Sequence, residues 1–377
     1  ARDAAEAVIL DPADPDAKAL LGSALLSLGR VADARQCLAE ASAAQPANPA
    51  MREALAVATE ADGDPDAAFA ILRAGLSPTG GALSLRNAAI LFCIRHRQFA
   101  TGVALAEDGR IAGTVDACLF GLKGHAQTSL GQHEAAAESY AEALKLGPDD
   151  PYVRHLVAAS GLLPSAKRAP PDYLRAVFDG YADRFDEHLI GLHYRIPGAI
   201  RRVLLEYIDA GHPYGPILDL GCGTGLVGVA IADLRIGPIS GVDVSPQMLA
   251  QAEAKGLYAT LHEADVLDWL AQDHLPWNLI LAGDMACYFG ALDPLLNAVK
   301  QRLSPGGWFV FSVEASDRDG WTLQRQGRYR HAKTYLTEAL RDAGLKPRAI
   351  QDQIIRLEAG APVPGYLIVA QPAYPIH

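Results

Sequence analysis

No cysteine pair in this chain sits at a spacing that holds a metal. Cys37, Cys93, Cys118, Cys222 and Cys287 are scattered, with no C-x-x-C pair and no histidine at zinc-ligand distance. That excludes a zinc or dithiol redox reading, so no metal is expected and the cysteines read as free thiols of a reducing cytoplasm. Also missing is an uninterrupted apolar run of membrane-spanning length, which argues against a membrane partner. The opening residues Ala-Arg-Asp carry no signal-peptide pattern. Basic clusters are missing too: 33 Lys and Arg face 44 Asp and Glu, for a formal net charge of -11. Such a surface does not neutralise a phosphate backbone, so nucleic acid is not expected as a partner.

What is present is an ordinary globular composition, half hydrophobic and one fifth charged. At 377 residues the chain exceeds what one hydrophobic core usually holds, which predicts two domains. The two halves have different grammars. In the first, the turn positions Gly29, Gly63, Arg97 and Gly131 recur every 34 residues, and small residues follow five places later at Ala34, Ala68, Gly102 and Ala136. Small side chains there let two helices of one repeat approach closely. The first repeat adds Leu21, Gly22, Leu25, Leu38, Ala41 and Pro46 at helix-turn-helix positions. This pattern resembles the tetratricopeptide repeat family, with units starting near Pro15, Pro49, Leu83 and Ala117. About four units satisfy the minimum of roughly three that such an α-helical solenoid needs. The repeat domain is expected over 1–161, as a surface for a protein partner, for self-association, or as a scaffold alone.

Three prolines at Pro164, Pro170 and Pro171 interrupt the helical pattern, and 162–172 is expected to be a linker. From 173 to 377 the pattern changes to short apolar strands (217–220, 239–243, 258–262, 277–281 and 308–313) separated by helical segments such as 226–234 and 246–254. That alternation predicts an α/β, doubly wound, mostly parallel sheet. The end differs: 349–357 and 365–370 read as an antiparallel hairpin at the sheet edge, joined by the Ala-Gly-Ala-Pro-Val-Pro turn.

The strongest chemical signal is Ile217-Leu-Asp-Leu-Gly-Cys-Gly-Thr-Gly-Leu-Val-Gly228, a strand that runs through glycines into a helix. Glycines permit positive φ and close ligand approach, and the helix start offers N–H groups to an anionic group, carboxylate or phosphate alike. Gly223-Thr-Gly-Leu-Val-Gly228 also satisfies the weak dinucleotide pattern G-x-G-x-x-G. Asp243, 18 residues after Gly225, suits ribose hydroxyls in either cofactor class. Asp219, two residues before the first glycine, separates the two: it suits an ammonium group, directly or through water, and sits badly beside a pyrophosphate.

With Gly241-Val-Asp-Val-Ser245 following, the second half resembles the class I S-adenosylmethionine-dependent methyltransferases, and the resemblance implies a seven-stranded, Rossmann-like domain. It assigns Gly221, Gly223 and Gly225 to the methionine end, Asp243 to the ribose, and Asp265, with Ala264 and Val266, to the adenine; Cys222, Val244 and Met248 are expected beside them in the cofactor site. Asp284 and Tyr288, in the segment 280–290 after the fourth strand, would face the transferring methyl. Upstream, Phe178-Asp-Gly-Tyr-Ala-Asp-Arg-Phe-Asp-Glu-His-Leu189 and Leu192-His-Tyr-Arg-Ile-Pro197 are similar to the cap of bacterial proteins that join tetratricopeptide repeats to a methyltransferase. In such a helical cap, over 173–200, Tyr181, Phe185, Tyr194 and Arg195 would close over the cofactor, rings attracting a sulfonium and Arg holding a carboxylate. The plain alternative is one amphipathic helix with Phe178, Tyr181, Phe185 and Leu189 on its core side.

The expected reaction is methyl transfer from S-adenosylmethionine to O, N or S of a small-molecule acceptor, leaving S-adenosylhomocysteine. The alternative acceptor is a polypeptide recruited by the repeats. Alignment does most of the work in such a displacement, and a base is needed only for a protonated acceptor. His331 is the preferred base, because its connection follows strand five and histidine titrates in the useful range; His188, His193 and Asp284 are the others.

Overall fold

The computed structural model describes residues 7–9, 11–27, 29–76, 82–179, 182, 185–208, 215–358 and 360–373. It divides into two compact units, Ala1–Leu162 and Leu163–His377.

The first unit is built from antiparallel helix pairs: α1 (Pro15–Ser27) with α2 (Val31–Ala44), α3 (Pro49–Ala61) with α4 (Pro65–Ala74), α5 (Leu83–Arg95) with α6 (Phe99–Ile111), and α7 (Ala117–Ser129) with α8 (His133–Leu146). A ninth helix, α9 (Pro151–Ala159), follows. First helices thus start every 34 residues, as the sequence period requires. Local chemistry sets the starts. Asn48, Asp64, Asp116 and Asp150 each accept a first-turn N–H through their side chains, and Pro49, Pro65 and Pro151 occupy first helical positions, where no N–H is needed. Each pair turns through a left-handed residue, Gly29 (φ 70°), Gly63 (88°) and Gly131 (76°); Arg97 takes the same conformation at 57° despite its side chain. Ala34, Ala68 and Ala136 are buried where the second helix meets the first. A methyl group on Gly124 would lie 2.6 Å from the Tyr140 ring, so the close approach depends on that glycine.

In the second unit a sheet of nine described strands runs β3 (Thr260–Glu263), β2 (Ile239–Asp243), β1 (Ile217–Leu220), β4 (Trp277–Ala282), β5 (Leu303–Ala315), and the first five pair in parallel. β9 (Ala361–Pro372) then lies antiparallel to both β5 and the outermost β8 (Leu345–Glu358). Two short strands, β6 (Trp321–Leu323) and β7 (Tyr329–His331), extend the far end of β5, so the sheet exceeds the expected seven strands. β1 is buried along its whole length, as a central parallel strand covered on both faces must be. One face carries Leu218, Leu220, Ile280, Phe309 and Phe311 against α15 (Val266–Gln272), α16 (Asp293–Arg302) and α17 (Lys333–Asp342). The other carries Ile217, Leu279, Leu281 and Val310 against α12 (Ile196–Ile208) and α13 (Leu226–Ile231), and α14 (Pro246–Ala254) follows β2. Among the described residues no helix is long and apolar enough to cross a membrane.

Several expectations change. The third strand starts at Thr260 because Tyr258 packs its ring on Gly228, with its hydroxyl donated to Asp219 at 2.7 Å. The hairpin turn shortens, since β9 already begins at Ala361; a register shift between Ile354 and Arg356 accommodates prolines that offer no ladder N–H. The segment 178–189, which the plain alternative made one amphipathic helix, is divided between two, α10 (Pro171–Asp179) and α11 (Phe185–Gly191). The stretch read as a linker is also tied down: the Lys167 carbonyl accepts the N–H groups of Gly290 (2.8 Å) and Ala291 (2.9 Å), and Ala169 donates to Tyr288 (2.8 Å).

Candidate functional site

The carboxyl ends of β1, β2, β3 and β4 align in register, Leu220 beside Val242 and Asp243 beside Glu263, so the loops that follow gather along one edge of the sheet. A cavity of about 220 Å³ opens there. Its floor is the loop after β1. Gly221 (φ 63°) and Gly223 (φ 53°) hold left-handed conformations, and a Cβ on Gly221 would meet the Met285 side chain at 2.4 Å. Gly221 and Cys222 donate their N–H groups to the Val242 carbonyl, which keys this loop to β2.

Carboxylates ring the loop. Asp243, 8 % exposed, accepts the Gly223 N–H on one oxygen and the Ser245 N–H on the other, each at 2.9 Å, and burial raises its pKa. Asp186 of α11 accepts the Thr224 hydroxyl and pairs with Lys255 at 2.9 Å; Asp179 of α10 accepts the Ser245 hydroxyl at 2.6 Å. The cap is therefore fastened to the two loops by side chains of both its helices. Over the cavity stand Phe178, Phe185 and Tyr288, with Phe178 edge-on to both of the others at 6.2 and 5.6 Å.

Beyond β4 the wall becomes ionic. Asp284 adopts φ 57°, its N–H donates to the Ser312 hydroxyl at 2.8 Å, and its Oδ2 accepts from Arg356 at 3.2 Å. Its Oδ1 is buried and has no hydrogen-bond partner among the described residues. Burial raises the Asp284 carboxyl to about 6 and that of Glu314 to about 7. Arg356, only 2 % exposed, also binds Glu314 and Glu358, and Arg328 joins the same acids at 3.3 Å.

Of the residues singled out in the sequence, Phe185, Tyr194, Gly221, Cys222, Gly223, Asp243, Val244, Met248, Ala264, Asp265, Val266, Asp284 and Tyr288 line this one cavity, as does His188. Others do not. Asp219 is 1 % exposed beneath the loop, bonded to Tyr258 and raised by burial to about 7, and it is not part of the cavity's lining. Gly225 caps α13 against the Tyr258 ring. Arg195 is exposed away from the cavity, because its backbone N–H ties the start of α12 to Ile355; His193 is an exposed turn residue at φ 52°. His331 is fully buried, hydrogen-bonded to the Gly290 carbonyl at 3.1 Å and stacked on Tyr335; burial lowers its pKa to about 4. It is a core histidine on β7, not a base facing the cavity. Tyr181 lies outside the described residues. Arg168, Arg328 and Arg356 line the cavity without having been anticipated. Only Arg356 carried a local signal, a cation inside the apolar run Ile354-Ile-Arg-Leu357.

Residues 218–309 match the family model of a methyltransferase domain, and 1–36, 19–81 and 119–150 match tetratricopeptide repeat models. The chain carries tetratricopeptide repeats and a methyltransferase domain. The methyltransferase-like protein 27 of Homo sapiens is 36 % identical over 99 residues, 26 % of this chain and 39 % of that protein. A ribosomal protein L11 methyltransferase of Thiobacillus denitrificans is 28 % identical over 144 residues, 32 % of this chain and 46 % of that one. The chain thus spans less than half the length of these relatives. Among solved structures, the magnesium protoporphyrin IX methyltransferase of Synechocystis PCC 6803 with bound S-adenosylmethionine superposes with a TM-score of 0.42 at 17 % identity, covering 53 % of this chain and 95 % of that one.

Proposed function

We propose that this chain is an S-adenosylmethionine-dependent methyltransferase that modifies an O, N or S atom of a small-molecule acceptor. The observation that carries the reading is the ring of carboxylates on the glycine loop. The Gly223 N–H and the Thr224 hydroxyl are already committed to Asp243 and Asp186. A pyrophosphate would find those donors spent and negative charge beside them, whereas a cationic ligand is favoured there. The shape agrees. A Cβ on Gly223 would have no neighbour closer than the Phe185 ring at 3.9 Å, so the backbone opens onto space that a thin aliphatic chain fills.

On this reading Gly221, Cys222 and Gly223 hold the methionine end, Asp243 the ribose hydroxyls, and Val244, Met248, Ala264, Asp265 and Val266 the base. Phe185, Tyr194 and Tyr288 turn aromatic surface toward the sulfonium. The bound group supplies an activated methyl. Asp284 takes the role first assigned to His331: its uncommitted Oδ1 accepts the proton of the acceptor, and burial holds its carboxyl near 6, within working range. Its position inside the cavity suits a small acceptor that enters whole. A polypeptide acceptor recruited by the repeats is the second reading, favoured by the likeness to proteins named ribosomal protein L11 methyltransferases. The five cysteines are all free, which suits a reducing compartment, and we take the cytoplasm as the location.

Isothermal titration of the full chain tests the donor. S-adenosylmethionine and S-adenosylhomocysteine should each bind one site, and NAD should not; NAD binding without S-adenosylmethionine binding would reverse the assignment.

A further inference from the structure

Arg168 belongs to a stretch whose prolines read as a linker, yet the fold presents it to the cavity on a fixed backbone. Residue 168 forms an antiparallel bridge with Phe289, its neighbours Lys167 and Ala169 bond to Gly290 and Tyr288 at 2.8 Å, and the Tyr329 hydroxyl donates to the Ala166 carbonyl at 2.8 Å. The guanidinium lies over the Phe289 ring, 6.0 Å from its centroid, and donates from Nη1 to Asp265 Oδ1 at 3.0 Å.

The same Oδ1 accepts the N–H groups of Leu267 (3.0 Å) and Asp268 (3.4 Å), by which Asp265 caps α15. Three donors on one oxygen fix the carboxylate, and none of them uses Oδ2. Arg168 in turn has five N–H donors, of which this bond takes one. Both residues line the cavity, so its wall offers an acceptor directly beside a donor. Adenine presents the complement, an amino donor beside a ring-nitrogen acceptor. Hypoxanthine puts a carbonyl oxygen where the amino group was, and that oxygen would face the Asp265 carboxylate.

We propose that Arg168 is a specificity-determining residue, which with Asp265 forms a donor–acceptor pair that selects adenine at the base end of the ligand. The proposal rests on the donor assignment above and extends it to a residue outside the family-matched segment. A lone carboxylate at this position would accept the amino group. Adding the guanidinium makes the ring nitrogen count as well, and holds the carboxylate in place.

The test is calorimetric titration of the full chain with S-adenosylhomocysteine and with S-inosylhomocysteine. Wild type should prefer the adenine compound by about tenfold or more, the worth of one hydrogen bond to a charged group. In Arg168→Ala the Kd for S-adenosylhomocysteine should rise by about tenfold while that for the inosine compound changes little, so the preference collapses. Arg168→Gln, which is shorter and uncharged but keeps the aliphatic stem and an amide donor, should fall between them and carries the test if the alanine variant does not fold. Equal weakening of both ligands, or S-adenosylhomocysteine binding within about twofold of wild type, would make Arg168 a structural brace and overturn the proposal. A wild type that binds neither compound overturns the donor assignment itself, and this inference with it.

Discussion

Asp284 combines three costs that a side chain seldom carries together: a left-handed backbone at φ 57°, burial, and a carboxylate oxygen without a partner among the described residues. Strain of this kind persists where the surroundings over-determine it, and here Ser312 and Arg356 do so. The cost has a measurable sign. The native carboxyl titrates near 6, above the ordinary value of roughly 3.9, so between those values the native state keeps a proton that the unfolded chain has released. Stability therefore falls as pH rises through that window, and the cost is complete above about 6. Asp284→Asn should match wild type near pH 4 and exceed it at pH 8 by on the order of 1–3 kcal/mol, read from urea midpoints at the two pH values. An asparagine variant less stable than wild type at pH 8 would mean that Arg356 holds the charge favourably. His331 marks the opposite case: a histidine in a promising place in the sequence, neutralised by complete burial.

Among the elements, the third repeat departs most from its siblings. Its turn residue is Arg97 where the other three repeats have glycine, and the helices still form on schedule at Leu83–Arg95 and Phe99–Ile111. The left-handed conformation costs a non-glycine residue roughly 1–2 kcal/mol, partly offset by the greater freedom that glycine gives the unfolded chain. Arg97→Gly should thus raise stability by about 0.5–1 kcal/mol in urea unfolding, and Gly131→Arg should lower it by a similar amount. A loss on Arg97→Gly would show that the contact of Arg97 with the Phe99 ring, 6.0 Å from its centroid, outweighs the strain. At the other end of the chain, the register shift in β8 does comparable work on a side chain. It turns Arg356 inward to Asp284 and Glu314, a use for which bulges beside functional sites are well suited.

For the molecule as a whole, the two units differ in kind: nearest-neighbour helix packing in one, long-range strand pairing in the other. The second unit holds its own core on both faces of the sheet and all the residues that line the cavity. A fragment of residues 163–377 should therefore fold and bind S-adenosylhomocysteine with a Kd within about threefold of the full chain. With labelled S-adenosylmethionine in cell extract, fragment and full chain should both place label in small molecules. Label that enters protein, and only with the full chain, would favour the polypeptide reading.

The 34-residue period, the helix starts, the first two strands and the glycine loop were legible in the sequence because each expresses a requirement met within a few residues: a left-handed turn, a side-chain cap, an apolar run. The cavity's wall was not. Arg168 reaches Asp265 across 97 positions, Arg356 reaches Asp284 across 72, and Tyr258 holds Asp219 beneath the loop by a bond across 39. The sequence by itself determined the two architectures and where the glycine loop that floors the cavity lies. Only the tertiary structure decided which ionisable side chains face that cavity, because periodicity encodes the face a residue presents and not the charge that another strand or segment brings to meet it.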